Sequence, residues 1–241
     1  MLDAFRDLVL GGRCVGCDRA GRLLCEVCRA GLEVVPWPAW PTPVPPGLVA
    51  PWAATTYDGV VRAMVVGHKE HRLLALSRPL GDLLAAAVRA ALTDLVGEPA
   101  PVLLVPVPSR PSSTRERGYA PTDAITRAAA ATLSSYDVPA TCARLLRTRA
   151  GLADQAGLDA ASRAANLAGA LRVHPPALRR LARVAERGRG GPAHVVVCDD
   201  VLTTGATAAE AQRALRAVGL PPLAVVAVAA TRRRSAGQRP E

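Results

Sequence analysis

The sequence predicts an α/β fold, with a mostly parallel sheet flanked by helices and a small cysteine module at the N-terminus. Three observations lead there. Short apolar runs (Val102 to Val107, 193–198 and 223–229) alternate with Ala- and Leu-rich stretches of helical period, which is the pattern of successive strand–helix units in a parallel sheet. Four of the six cysteines fall between residues 14 and 28, and prolines crowd residues 36–51. Half of the 241 residues are hydrophobic, enough for a sizeable core, but only 3% are aromatic, so Val, Leu and Ala must fill it.

Taken in order, Met1 to Leu10 sets Leu2, Phe5, Leu8 and Val9 among Asp3, Arg6 and Asp7. This predicts a short amphipathic helix without the apolar core of a signal peptide. Cys14-x-x-Cys17 and Cys25-x-x-Cys28 follow. Paired C-x-x-C motifs in a reducing compartment point to zinc more than to disulfides, and four thiolates close a tetrahedral structural site. A redox-active or disulfide pair is the competing reading. Residues 1–35 are therefore expected as a zinc module. Residues 36–51, rich in proline, are expected as an extended linker marking a domain boundary, and residues 52–241 as the main domain. Trp37, Trp40 and Trp52 flank or interrupt that linker and would pin it to a surface or present a stripe to a partner.

In the main domain, Trp52 to Tyr57 reads as a strand and Val60 to Val66 as a short helix ending near Gly67-His68-Lys69. Arg78 to Val96 has helical period and stops at Gly97. Val102 to Val107 is a strand and Ala120 to Leu133 a helix. Thr141 to Leu146 is expected as an edge strand and Leu167 to Val173 as another. Residues 174–192 form a basic insert with Arg179, Arg180, Arg183, Arg187 and Arg189. Strand 193–198, helix 206–218 and strand 223–229 complete the pattern. Cys142 and Cys198 suit small core positions.

The net charge is +10 and the pI about 10.3. That favours polyanionic ligands such as nucleic acid, phosphorylated sugars or an acidic partner. No apolar run of 18 residues exists, so no membrane insertion is expected, and a cytoplasmic location follows.

The most informative stretch is Val195-Val196-Val197-Cys198-Asp199-Asp200-Val201-Leu202-Thr203-Thr204-Gly205-Ala206-Thr207. A buried strand ends, two carboxylates stand at its tip, a hydroxyl- and glycine-rich loop follows, and a helix begins. Ligands of open α/β sheets bind beyond the carboxyl ends of strands. A helix N-terminus there offers free backbone N–H groups to a phosphate. Paired carboxylates suit vicinal sugar hydroxyls, or a magnesium ion shared with phosphate oxygens. The alternative is an ordinary Thr/Gly helix cap, which does not need two adjacent acids.

Three further segments are suggestive. Val105-Pro106-Val107-Pro108-Ser109-Arg110, followed by Arg115-Glu116-Arg117-Gly118-Tyr119, ends a strand in a proline turn with arginines behind it. Arginine's planar fork binds phosphate oxygens in pairs, although a solvated basic loop would look similar. Leu145-Leu146-Arg147-Thr148-Arg149 with Gln155, Arg163 and Asn166 is polar, aperiodic and long enough for a lid, or for a surface helix-turn without a ligand. Lys69 in Gly67-His68-Lys69-Glu70 could meet a phosphate.

The 195–207 run resembles the phosphoribosyl-pyrophosphate (PRPP) signature of type I phosphoribosyltransferases. That resemblance implies that Asp199 and Asp200 hold the ribose hydroxyls, and that Val201 and Leu202 lead into a 5′-phosphate loop of Thr203, Thr204, Gly205, Ala206 and Thr207. The order of Cys₄ module, Pro-rich stretch, Tyr57, Lys69, Pro-Val-Pro, Arg-Gly-Tyr, Gln155…Arg163…Asn166 and PRPP signature resembles the ComF family of competence-associated proteins along nearly the whole chain. The implied activity is magnesium-dependent transfer of a phosphoribosyl group to an unknown nitrogen acceptor. Asp199, Asp200, Arg115, Arg117 and Arg163 would be its catalytic groups, and Lys69, Ser109, Arg110 and Gln155 further PRPP contacts. The family name implies the alternative, a non-catalytic protein handling single-stranded DNA with an uptake machinery, in which Arg232, Arg233 and Arg234 could join the basic insert. Ala120-Pro121 departs from the family's usual Asn-Gln, which weakens any base contact there. Thr203 stands where some purine enzymes of this kind carry a carboxylate, so it cannot serve as a base near neutral pH.

Overall fold

The computed structural model describes residues 12–97, 100–108, 119–149, 169–186 and 193–231. The Met1 to Leu10 helix expectation lies outside them. The main sheet has six strands in the order β1-β2-β8-β7-β3-β4. These are β1 Trp37–Pro38, β2 Pro51–Thr56, β3 Val102–Pro106, β4 Ala140–Cys142, β7 His194–Leu202 and β8 Pro222–Ala230. All neighbours pair in parallel except β1, which runs antiparallel to β2. A separate antiparallel pair joins β5 Leu146–Thr148 to β6 Leu171–Val173. The α/β architecture with a mostly parallel sheet is thus as expected, and parallel strands covered on both faces explain the near-continuous apolar runs.

Two cores lie on the two faces of the sheet. On one, helices α2 Gly59–Glu70, α3 Ser77–Leu95 and α4 Pro121–Ser134 bring Met64, Leu84 and Ile125 against Leu104, Val196 and Val226. On the other, helix α6 Ala206–Arg216 sets Ala208, Ala211 and Leu215 against Val105, Val197 and Val225. The α3–α4 contact is close: a Cβ on Gly81 would lie 2.5 Å from the Cβ of Ala128. The N-terminal module, with its short helix α1 Glu26–Ala30, joins the first core through buried Leu24. No helix among the described residues is long and apolar enough to cross a membrane.

Several elements differ from expectation. The stretch 141–146 is not one edge strand. Cys142 packs toward the first core and Leu145 and Leu146 into the second, so the chain leaves the sheet between them. Of the described part of the 167–173 stretch, Leu171–Val173 is strand, and it belongs to the small sheet. The basic insert contains helix α5 Pro175–Glu186, whose Ala177 and Leu181, four residues apart, pack on the second core while Arg179, Arg180 and Arg183 are exposed. Strand β7 runs four residues past Cys198, because Asp199, Val201 and Leu202 stay in register with Ala227, Ala229 and Ala230 of β8. The Pro-rich segment is no free tether. It supplies β1 and buries Ala39 and Leu48 in the second core.

Candidate functional site

Strand order places a switch point between β3 and β7. After β3 the chain passes into α4 on one face, and after β7 into α6 on the other. The crevice beyond such a pair of carboxyl ends is where open α/β sheets bind ligands. Val107 closes the β3 end by donating its N–H to the Cys198 carbonyl at 2.9 Å, just before Asp199.

The strand alternation of β7 leaves Asp199 half-buried and buries Asp200 to 5% exposure. The carboxylates are held by their own backbone: the Asp200 N–H donates to Asp199 Oδ1 at 2.8 Å, and the Val201 N–H to Asp200 Oδ1 at 2.9 Å. From the last turn of α2, Lys69 Nζ donates to Asp200 Oδ2 at 2.8 Å. Burial would lower the Lys69 pKa, but the charge and hydrogen bond of Asp200, with the charges of Asp199 and Glu70, together offset this and hold it above the ordinary lysine value. Burial and the adjacent Asp200 charge push the Asp199 carboxyl well above the usual carboxylate range. The Lys69 ammonium thus stands directly against the Asp200 carboxylate, within the reach of Asp199.

His68 precedes Lys69 and is fully buried, with neither ring nitrogen hydrogen-bonded among the described residues. Burial lowers its pKa and keeps it neutral, against an opposing pull from Asp200. Tyr119 packs edge-on against its ring, with centroids 5.7 Å apart at 88°, and donates its hydroxyl to the His68 carbonyl. The end of the segment after β3 is thereby fastened to α2, next to the carboxylates.

The loop after β7 opens α6 through Gly205, whose φ of +71° is left-handed. A side chain here would be strained by conformation. It would also meet Pro41 at 3.0 Å and Pro45 and Leu48 at 3.3 Å, so the Pro-rich segment lies directly on the loop. Gln212, buried on α6, ties that segment down by accepting from the Val49 N–H at 2.8 Å and donating to the Gly47 carbonyl at 2.6 Å. Glu210 accepts from the Leu171 N–H at 2.9 Å and pairs with Arg213, which fixes β6 to the same helix. The Pro-rich segment and Gln212 were not foreseen as parts of this site. The available signal was a buried-side amide on an otherwise Ala-rich helix face.

The structure brings together Asp199, Asp200, Val201, Leu202, Thr203, Thr204, Gly205, Ala206, Thr207 and Lys69 at one sheet edge. Ser109, Arg110, Arg115, Arg117, Gln155, Arg163 and Asn166 lie outside the described residues. So do Arg187, Arg189 and Arg232 to Arg234.

At the N-terminus, the sulfurs of Cys14, Cys17, Cys25 and Cys28 all lie within 4.8 Å of one another, with Cys17 and Cys25 3.6 Å apart. Four sulfurs about 2.3 Å from a tetrahedral zinc stand roughly 3.8 Å apart, so the cluster could hold such an ion. The Cys25 sulfur also caps α1 by accepting from the Cys28 N–H, and Cys14 accepts from the Cys25 N–H, both at 3.4 Å. Burial opposes ionisation of Cys14, but hydrogen bonds from the backbone N–H groups of Cys25, Cys17 and Gly16, with one from the Cys25 side chain, hold its thiol below the ordinary pKa. Gly16 is required at the knuckle, because a Cβ there would come within 2.8 Å of the Cys28 sulfur.

Compared with known families and curated proteins, the chain matches no family model and no curated sequence. The protein is an α/β chain with a mostly parallel six-stranded sheet and an N-terminal four-cysteine cluster able to take a metal such as zinc.

Proposed function

We propose that the protein binds PRPP at the β3–β7 crevice and transfers its 5-phosphoribosyl group to a nitrogen acceptor. One observation carries the reading. Two carboxylates at the end of a central strand, one paired with Lys69, run directly into a left-handed glycine loop that opens a helix at the switch point. In this reading Asp199 and Asp200 accept hydrogen bonds from the two ribose hydroxyls. The N-terminal N–H groups of α6 and the hydroxyls of Thr203, Thr204 and Thr207 hold the 5′-phosphate. Arg110, Arg115 and Arg117, outside the described residues, are the sequence's candidates for binding the pyrophosphate.

The acceptor nitrogen's lone pair forms the new N–C1 bond. The C1–O bond to pyrophosphate breaks, and its electron pair leaves with the pyrophosphate. Catalysis rests on alignment and on charge placed around a cationic sugar. Magnesium fits the oxygen donor set of Asp199, Asp200 and the ligand's phosphates, and it would neutralise charge on the leaving group. Thr203 supplies no base. Zinc on Cys14, Cys17, Cys25 and Cys28 would be structural, since four thiolates leave no open position.

The test is thermal unfolding with PRPP and magnesium, followed by pyrophosphate release with a panel of nitrogen heterocycles. PRPP is expected to raise the Tm by mass action, and Asp199→Asn with Asp200→Asn to abolish the rise while the fold persists. A rise that survives in the double variant refutes the ribose assignment.

A second reading, single-stranded DNA handling without turnover, is favoured by the exposed Arg179, Arg180 and Arg183 of α5 and by the net charge of +10. It requires affinity that falls with salt at a log–log slope of about −0.7 per neutralised phosphate. It also requires weaker binding after charge reversal at these three arginines.

A further inference from the structure

A cavity of about 660 Å³ lies between the cysteine module and one face of helix α3. It shares no lining residue with the loop after β7 or with Lys69. Arg22 and Arg29, which flank Cys25 and Cys28 in sequence, line it from the module. Arg78 and Arg89 line it from α3, and Thr132 and Tyr136 from the end of α4 and the turn after it. All four arginines are exposed.

Helix geometry sets the arrangement. Arg78, Asp82, Ala85 and Arg89 follow one another at helical spacing, so they stand on one face of α3. Arg78 and Arg89 are separated along the axis by about 16 Å, at 1.5 Å per residue. Between them, Asp82 accepts a hydrogen bond from the Thr132 hydroxyl at 2.8 Å and lies 3.9 Å from the Arg29 guanidinium. That second distance is too long for a hydrogen bond, so it orients Arg29 without consuming a donor. Arg22 pairs with Glu26 at 2.9 Å, an exposed contact of the kind that contributes little. The Arg89 guanidinium lies over the Tyr136 ring, 4.6 Å from its centroid, which fixes it in place. The lining thus sets four guanidiniums against the single carboxylate of Asp82. A cleft lined by one sign of charge concentrates counter-ions, and an anion held there relieves the repulsion among the arginines.

We infer that this cavity binds a nucleoside polyphosphate, with its phosphate chain on the arginines and its base on the apolar lining of Leu23, Pro79 and Ala86. Length, charge and volume select that class. Guanidiniums anchored about 16 Å apart on one helix suit a chain of phosphates better than a single one, and the arginine fork takes phosphate oxygens in pairs. The volume falls within the roughly 300–1,000 Å³ of small-molecule pockets, which leaves room for sugar and base beside the phosphates. Asp82 can accept from a sugar hydroxyl or a base amino group. Because the arginines come from both the cysteine module and α3, the bound anion ties the module to the main domain. The inference does not depend on phosphoribosyl transfer.

Calorimetry on the full chain compares ATP, inorganic tripolyphosphate, inorganic phosphate and a single-stranded oligonucleotide, and thermal unfolding is followed with each. ATP is expected to bind most tightly and to raise the Tm by mass action. Arg78→Gln and Arg89→Gln should each weaken ATP binding by about tenfold to 100-fold, the scale of a lost hydrogen bond to a charged group. Arg78→Lys and Arg89→Lys should recover only part of the loss, since lysine keeps the charge without the fork. These side chains are exposed, so the variants should fold, which circular dichroism checks. Arg62→Gln, an equal loss of charge on α2 outside the cavity, should leave ATP binding unchanged. Asp199→Asn with Asp200→Asn should leave it unchanged too, which separates this cavity from the loop after β7. ATP binding that is absent, that falls equally in Arg62→Gln, or that vanishes with the Asp199 and Asp200 changes overturns the inference. So does tripolyphosphate binding as tightly as ATP, which removes the base, or the oligonucleotide binding more tightly, which assigns the cavity to a nucleic-acid backbone. Failure of PRPP to bind leaves this inference standing, and failure of ATP to bind leaves the transfer reading standing.

Discussion

Asp199→Asn is expected to stabilise the ligand-free protein and to destroy PRPP binding. The folded chain resists ionising Asp199, through burial first and then through the charge on Asp200, whereas the unfolded chain ionises it freely near pH 3.9. A carboxyl whose pKa is raised by folding contributes stability below its unfolded value. That contribution is lost as the pH rises toward the folded value. The wild type therefore loses stability progressively above about pH 4, by up to about 1.4 kcal/mol for each unit of elevation. Asparagine carries no such penalty, and its Oδ1 can still accept the 2.8 Å bond from the Asp200 N–H. An elevation of a single unit is worth about 3–6 °C in Tm for a chain of this size. The assay is thermal unfolding of both proteins at several pH values from 4 to 9, with and without PRPP and magnesium. The Tm gap should open in favour of the variant as the pH rises, while PRPP shifts only the wild type. A gap that does not change with pH, or that closes toward alkaline pH, refutes the argument.

Two further perturbations probe the surrounding frame. Gly205→Ala places a side chain at φ +71°, within 3.0 Å of Pro41. The left-handed conformation alone costs about 1–2 kcal/mol, so calorimetry should show a lower Tm together with weaker PRPP binding. An unchanged Tm would mean that the loop and the Pro-rich segment are not in contact. Metal analysis of protein purified without chelators should find about one zinc per chain, and clearly less in Cys14→Ser, because four thiolates complete the site. That variant should also melt lower throughout, since Leu24 is buried in the first core. Under half an equivalent of zinc in the wild type would count against the metal.

The acid pair, the Thr-Thr-Gly loop and the flanking strand and helix were legible because their signals are local. Val195 to Cys198 is an unbroken apolar run, and Ala206 to Arg216 has helical period within a dozen residues. The cysteine cluster was legible for the same reason. What stayed hidden depends on partners far along the chain. Lys69 was legible as a phosphate contact, but not its pairing with Asp200 across 131 positions. Proline density reads as a linker, yet the fate of residues 36–51 is decided by Gln212 and Gly205, more than 150 positions on. Helix α5 was obscured by its arginines, since among the described residues Ala177 and Leu181 alone pack on the second core. The last four residues of β7 fell outside the expected strand 193–198 because acids occupy positions that an apolar pattern would have flagged.

Strand β1 also protects the molecule from itself. Without it, β2 would present a six-residue row of free backbone donors and acceptors, Pro51–Thr56, at the rim of the sheet. Such a rim is a template for pairing with another chain. Trp37–Pro38 covers part of that row with only two residues, and Pro38 has no N–H to offer a further strand. At the opposite rim β4 is only three residues long. Both ends of the sheet are therefore poor seeds for polymerisation. The proline-rich stretch that borders the loop after β7 also limits self-association at this edge.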